Sequence, residues 1–235
     1  MTRRYYVAQL PTGGGIVVLD DAERHHALNV MRVRVGESIM LFDGFGKETT
    51  AVIQTATKRD VLCESQPVSS RDRENGVFMS LGVAMPKGDR GKELVERLTE
   101  IGVNRLVPLR CQRTQWEVSA NTIAKWQRVV IDACKQCGRN RLMQIDAPQT
   151  LSDWLGDDAQ RSLGDAYLIH PGGDRLPPAL SATDEACATI GPEGGFTEEE
   201  VLLADAKGWK RLSLGDRIYR VETAAVLAAV KIAGL

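Results

Sequence analysis

The 235-residue sequence predicts an α/β protein in two parts: a small β-rich barrel, then a parallel sheet covered by helices. Two patterns predict it. The first seventy residues carry short apolar runs punctuated by turn signals, with one helical stretch among them. From Val77 onward strand-like and helix-like runs alternate, which is how β-α-β units read in sequence. Between the two parts, Ser69-Ser-Arg-Asp-Arg-Glu-Asn-Gly76 is polar, charged and closed by glycine, as linkers are. The expected division is a barrel over 1–70, a linker over 71–76 and a second domain over 77–235.

In chain order, Ile16 to Leu19 is expected as a strand. Asp20 or Asp21 caps a helix expected to run to about Met31. A strand is expected from Ser38 to Phe42, followed by the tight-turn dipeptide Asp43-Gly44. Further strands are expected over Thr49 to Thr55 and Val61 to Glu64. In the second part, Val77 to Ala84 reads as a strand, with an apolar run from Leu81 to Met85 broken only by Gly82. Leu94, Val95, Leu98 and Ile101 share one face of a helix expected over Lys92 to Ile101, closed by Gly102. Leu106 to Leu109 is the next strand, and a longer helix is expected from Asn121 to Gly138. Tyr167 to Ile169 and Ala186 to Ile190 are short buried strands. Thr197-Glu-Glu-Glu200 is a capping box, with Phe196 and Val201 placed to staple it. A strand over Arg211 to Leu214 and an apolar helix over Val221 to Ala233 complete the chain.

The formal net charge of -1 hides an asymmetry. Residues 1–145 hold 22 basic and 16 acidic side chains, residues 146–206 hold 2 and 13, and residues 207–235 hold 6 and 2. A polyanionic partner would meet the first half. Nothing near the start reads as a signal peptide, and no apolar stretch nears the ~20 residues of a membrane span, so a cytoplasmic protein is expected. The five cysteines are odd in number and irregularly spaced, which argues against a disulfide framework. Cys134-Lys-Gln-Cys137 has CxxC spacing, but it lacks a second CxxC and sits late in the expected helix. No metal site is expected.

Three Gly- and Pro-rich loops leave expected strand ends: Ile169-His-Pro-Gly-Gly173, Ile190-Gly-Pro-Glu-Gly-Gly-Phe196, and Leu214-Gly-Asp-Arg-Ile-Tyr-Arg-Val-Glu-Thr223. One such loop reads as an ordinary turn. Three in one domain point to a ligand site, because open parallel sheets bind ligands at the carboxyl ends of their strands. An adenine read by main-chain atoms needs loops of this kind. None matches GxGxxG or GxxxxGK[ST], which disfavours a dinucleotide or P-loop site.

Ile190-Gly-Pro-Glu-Gly-Gly-Phe, followed by Leu212-Ser-Leu-Gly-Asp-Arg-Ile-Tyr-Arg-Val-Glu-Thr-Ala-Ala, resembles the knotted SPOUT methyltransferases, most closely the RsmE family. The resemblance spans nearly the whole chain. It includes Arg3-Arg-Tyr-Tyr-Val7, His25-His26 through Met31-Arg32, Gly36-Glu37, Asp43-Gly44, Pro86-Lys87, Glu93 to Gly102, Arg113-Thr114 and Ala133 to Arg139. It implies a PUA-like β-barrel followed by a SPOUT domain with a deep trefoil knot. It implies S-adenosylmethionine as cofactor and N3 of a uridine near the 3′ end of 16S ribosomal RNA as target, in the assembled 30S subunit. It also implies a homodimer, in keeping with the apolar residues that continue around the last helix.

Cofactor contacts are then expected from Ile169, His170, Pro171, Gly172 and Gly173. The second loop adds Ile190, Gly191, Pro192, Glu193, Gly194 and Gly195, and the third adds Leu214, Gly215, Ile218 and Thr223. Uridine N3 must lose its proton before or during attack, so a base or a cation beside the uracil oxygens lowers the barrier. Arg220 and Glu222 are the candidates, and they read equally as a structural salt bridge. Glu193 either faces the sulfonium or bonds main-chain N–H groups in its turn. Arg3, Arg4, Arg32, Lys87, Arg90, Lys92, Arg113, Arg139 and Arg141 are the expected RNA contacts. His25 and His26 read as packing residues. Two rival readings stay open: a non-catalytic RNA-binding module, and an enzyme of another class using a nucleotide cofactor.

Overall fold

The computed structural model describes residues 3–156, 165–175 and 185–235. The chain forms two compact units. Residues 1–73 and 134–142 make the first, and residues 74–133 and 143–235 make the second. The sequence reading placed 134–142 with the second part; its contacts belong to the first.

The first unit holds β1 (Arg4–Tyr6), β2 (Gly15–Val18), α1 (Asp21–His25), β3 (Ser38–Phe42), β4 (Lys47–Ala56), β5 (Val61–Ser65) and β6 (Ser69–Ser70). Asp20 caps α1 by accepting from Glu23 N, and a π-helical turn over His26–Val30 continues it. Strand order is β1-β3-β4-β5-β2, with β6 added on β4, and β1 runs parallel to β3. The expected barrel is therefore open in its hydrogen bonding among the described residues, with β1 and β2 as its two ends. Tyr5, Leu19, Ile39, Leu41, Ile53 and Val61 fill its core. The expected linker is partly structured: Ser69 and Ser70 pair with β4, and Arg73 reaches Glu48.

Glu48 organises this unit. It is 4% exposed. Arg73 bonds both of its oxygens at 2.9 and 3.0 Å, and Arg4 bonds Oε2 at 3.0 Å. Arg4 also donates to Asn140 Oδ1 and lies over the Phe42 ring. Asn140 in turn donates to Arg71 O, and its own carbonyl accepts from Gly46 N. These bonds tie 134–142 to the strands. Of the residues expected on RNA, Arg139 is buried, Arg4 is half-buried in its pair with Glu48, and Arg3 is paired with Glu37.

The second unit is a parallel sheet of β7 (Phe78–Val83), β8 (Arg105–Arg110), β9 (Gln144–Ile145), β10 (Gln149–Thr150), β11 (Asp165–Arg175), β12 (Glu185–Ile190) and β13 (Lys210–Ser213). Its order is β10-β8-β7-β12-β11-β13, with β9 on β8. The helices are α2 (Asp89–Ile101), α3 (Ala120–Cys137), α4 (Leu151–Gly156), α5 (Glu198–Ala206) and α6 (Val221–Ala233). Gly102 ends α2 in the left-handed region, and Thr197 and Glu200 form the full capping box of α5. β9, β10 and α4 had no sequence signal strong enough to place them. The gap in the apolar run at Gly82 has a packing cause: a Cβ there would lie 2.6 Å from the Trp154 ring. Trp154 itself is fully buried and donates to Thr189 Oγ1 at 2.6 Å.

Two carboxylates of the first unit behave oppositely on burial. At Glu48 burial pushes the pKa up, but bonds from Arg73 and Arg4 outweigh it and the net shift is downward. At Glu23 burial wins over Lys135, and the net shift is upward. A lowered folded pKa gives stability that is present above the unfolded value and lost as pH falls through the folded one. We expect Glu48→Ala to cost about 3 kcal/mol, since it leaves two guanidinium groups without their acceptor. Urea unfolding from pH 7 down to pH 3 should show wild-type stability falling below about pH 4, and Glu48→Gln should flatten that fall.

Candidate active site at the strand ends

The three loops singled out in sequence meet at the carboxyl ends of β11, β12 and β13. Together they line a cavity of about 320 Å³. Ile169, His170 and Pro171 come from the first loop. Ile190, Gly191, Pro192, Glu193, Gly194 and Gly195 come from the second, and Leu214, Gly215 and Ile218 from the third. Arg113, Phe196, Ser213, Arg217, Tyr219, Val221 and Ala224 complete the wall. None of these seven was among the expected cofactor contacts, and Arg113 was expected on RNA.

The first loop is not a loop by hydrogen bonding. It continues β11, and both Ile169 and Asp174 face Leu212 of β13. Residues 170–173 are thereby extruded from the ladder. Gly173 makes this possible, because a Cβ there would stand 2.6 Å from Leu212 N. Gly173 is thus a packing residue rather than part of this cavity; it lines a neighbouring recess with Asp216 and Arg217. Gly172 and Thr223 are also outside the cavity wall. Gly172 N donates to His170 Nδ1 at 3.1 Å, so the neutral ring carries its proton on Nε2. Burial, with the charge of Arg211, lowers the His170 pKa.

In the second loop, Gly195 N bonds Pro192 O at 2.8 Å and closes a tight turn. Arg113 braces this turn, donating to Gly194 O at 2.7 Å and Phe196 O at 3.4 Å. Phe196 and Val201 are both buried in the same core cluster, consistent with the expected staple. In the third loop, Ile218 is 90% exposed, an apolar side chain held at the mouth of the cavity.

Arg220 is the exposed residue preceding α6 and lies outside the cavity wall, although its neighbours Tyr219 and Val221 belong to it. Glu222 is 9% exposed in the first turn of α6. Its ionic partner is Arg90 at 3.7 Å, not Arg220. Arg90 also bonds Glu193 at 3.1 Å, so one guanidinium joins the second loop to the start of α6. Arg90 is engaged by Glu193 and Glu222, and Arg113 by the second loop. Of the expected RNA contacts, Arg32, Lys87, Lys92, Arg113 and Arg141 stand exposed.

Cysteine chemistry has no foothold here. Burial pushes the Cys63 thiol up to about 11, and burial with Glu200 pushes Cys111 up to about 12. Cys187 rises to about 12 for the same first cause. Cys134 is buried and Cys137 is exposed, and both are free thiols. Among the described residues no cluster of His, Cys, Asp and Glu is placed to hold a metal ion.

A parallel sheet with a main-chain-lined cavity at its strand ends, joined to a small β unit, is the architecture of an RNA methyltransferase. The family model for the RNA methyltransferase domain matches residues 73–233, and that for the RNA methyltransferase PUA domain matches 19–64. The chain belongs to the ribosomal RNA small subunit methyltransferase E family. It is 30% identical to the Synechocystis member over the whole of this chain and 78% of that one. It is 27% identical to the Bacillus subtilis member over 88% of this chain and 85% of that one. The crystal structure of the Neisseria gonorrhoeae enzyme bound to S-adenosyl methionine superposes with a TM-score of 0.90 at 31% identity, covering 98% and 96% of the two chains.

The extrusion of 170–173 gives a contrast between adjacent glycines. Gly173→Ala should destabilise the protein by about 1–3 kcal/mol in urea unfolding, as overpacking against main chain does. Gly172→Ala, exposed and facing only the His170 ring, should stay within about 0.5 kcal/mol of wild type. Equal effects at the two positions would contradict the extruded geometry.

Proposed function

We propose that this chain methylates N3 of a uridine near the 3′ end of 16S ribosomal RNA, using S-adenosylmethionine, on the assembled 30S subunit in the cytoplasm. The observation that carries the reading is the cavity itself. It suits the cofactor chemically: Gly191, Gly194, Gly195 and Gly215 offer main chain without side chains, and Ile169, Ile190, Leu214 and Ile218 offer apolar walls for a flat adenine. Glu193 supplies a carboxylate for a cationic ligand. When bound, the cofactor supplies an electrophilic methyl group. The protein's own work is to hold the uracil in line and to manage its charge and proton.

Glu222 is the candidate acceptor for the N3 proton, and Arg90 positions it. Arg220, beside the cavity-lining residues, is the candidate for stabilising negative charge on the uracil oxygens. Arg113 holds the second loop in shape. The fold supports the reading further. After β13 at the sheet edge, the chain returns to α6 against β7 and β12, which supports the reading of a SPOUT domain. Among the described residues no helix is long and apolar enough to cross a membrane. Arg32 and Arg141 of the first unit, with Lys87 and Lys92 of the second, are the proposed phosphate contacts.

The decisive experiment is nucleoside mass spectrometry of 16S ribosomal RNA from cells lacking the protein, with loss of one N3-methyluridine expected. In single-turnover methyl transfer to 30S subunits at saturating cofactor, Arg220→Ala should slow the reaction roughly a hundred- to thousand-fold, with Arg220→Lys recovering part. Near-wild-type rates would make Arg220 structural. Arg113→Ala should weaken cofactor binding about fivefold by calorimetry, the effect of losing a charged donor to a partly exposed turn.

The chain is also proposed to work as a homodimer through α6. Val226, Leu227 and Val230 are only partly buried there, although the opposite face of the helix is fully packed. Light scattering at micromolar concentration should give twice the 25.8 kDa chain mass. Leu227→Glu should shift it to the monomer, and a monomeric wild type would refute the proposal.

A further inference from the structure

A second cavity, of about 180 Å³, adjoins the first. It opens where the end of β7 and the start of α2 face the segment after β8. Pro192 and Glu193 belong to the walls of both cavities. The second cavity is therefore separated from the proposed cofactor site by one turn of main chain.

Its lining has a distinct chemistry. Trp116 offers an aromatic face, and the ring is fixed on two sides. Its Nε1 donates to Met85 O at 2.6 Å, and it meets Trp126 edge to face at 6.4 Å. Lys87 and Arg90 bring positive charge, and Thr114 and Gln115 bring hydrogen-bonding side chains. An immobilised aromatic face, an exposed cation and neutral polar groups are what an unstacked base with its phosphate requires. The modest volume favours a single-ring base over a two-ring one.

We propose that this cavity receives the target base: one unpaired pyrimidine turned out of the RNA, stacked on Trp116, with an adjoining phosphate on Lys87. The inference rests on the methyltransferase reading and gives its acceptor a place. Arg90 gives the position a consequence. It lines this cavity while bonding Glu193 and facing Glu222, so a base seated here lies next to the guanidinium that orients both carboxylates.

The test is a binding cycle on 30S-derived RNA hairpins. One hairpin carries the nucleotide that the wild-type protein methylates, and a second carries an abasic site there. Wild type should bind the abasic RNA roughly 5- to 150-fold more weakly, the range for losing one base–aromatic stack. Trp116→Ala should bind the two RNAs equally, and Trp116→Phe should keep most of the discrimination. Calorimetry with S-adenosylmethionine should show unchanged cofactor affinity in both variants. Undiminished discrimination by Trp116→Ala would overturn the proposal. So would a loss in Trp116→Phe equal to that in Trp116→Ala, because the Met85 bond rather than the ring face would then matter. A selective loss of cofactor affinity would assign the cavity to the cofactor instead. Absence of any methyl transfer by wild type would be a different failure, that of the methyltransferase reading itself.

Discussion

The double use of Leu212 shapes the site. Parallel ladders advance residue for residue, yet Leu212 of β13 faces both Ile169 and Asp174 of β11. Four residues must leave the sheet between those two partners, and they leave it at the carboxyl end, where His170 and Pro171 become cavity wall. Leu214 and Gly215, with Ile190 and Gly191, line the same cavity. Three chain segments distant in sequence thus converge without any covalent or metal constraint. What permits it is the missing side chain at Gly173, which lets the Leu212 main chain come within van der Waals reach.

Features set by local chemistry were legible in the sequence. The capping box at Thr197 and Glu200, the cap at Asp20 and the left-handed stop at Gly102 all depend on residues within a few positions of one another, and all three formed. The strand Ser38–Phe42 and the helix Val221–Ala233 appeared with the bounds their apolar periodicity suggested. Features set by long-range contact were not legible. Gly82 read as a break in a strand, because Trp154, which fills its missing side chain, lies 72 positions later. Cys134–Leu142 read as the end of a helix and its exit, because Asn140 and Lys135 find Arg4 and Glu23 only after folding. The three loops announced the cavity, but the bracing role of Arg113 and the bridging role of Arg90 needed the fold.

Several basic side chains of the first half neutralise acids inside the protein. Arg4 and Arg73 serve Glu48, Lys135 serves Glu23, and Arg3 serves Glu37. A guanidinium bound to a buried carboxylate contributes little field to an approaching phosphate, because the pair is nearly neutral at a distance. The basic residues left to meet a phosphate are those with exposed side chains, Arg32, Lys87, Lys92 and Arg141 among them.

Glu222 concentrates the remaining chemistry. A buried oxygen without a hydrogen bond costs about 1–3 kcal/mol, and its Oε2 is such an atom. Arg90 stands 3.7 Å away, near enough for Coulomb attraction and too far for a bond, because the same guanidinium is drawn to Glu193 at 3.1 Å. The cation is therefore shared between a carboxylate on the second loop and one at the head of α6. Under the proposed reading, Arg90 ties the Pro192–Glu193 wall shared by the two cavities to the carboxylate proposed as proton acceptor.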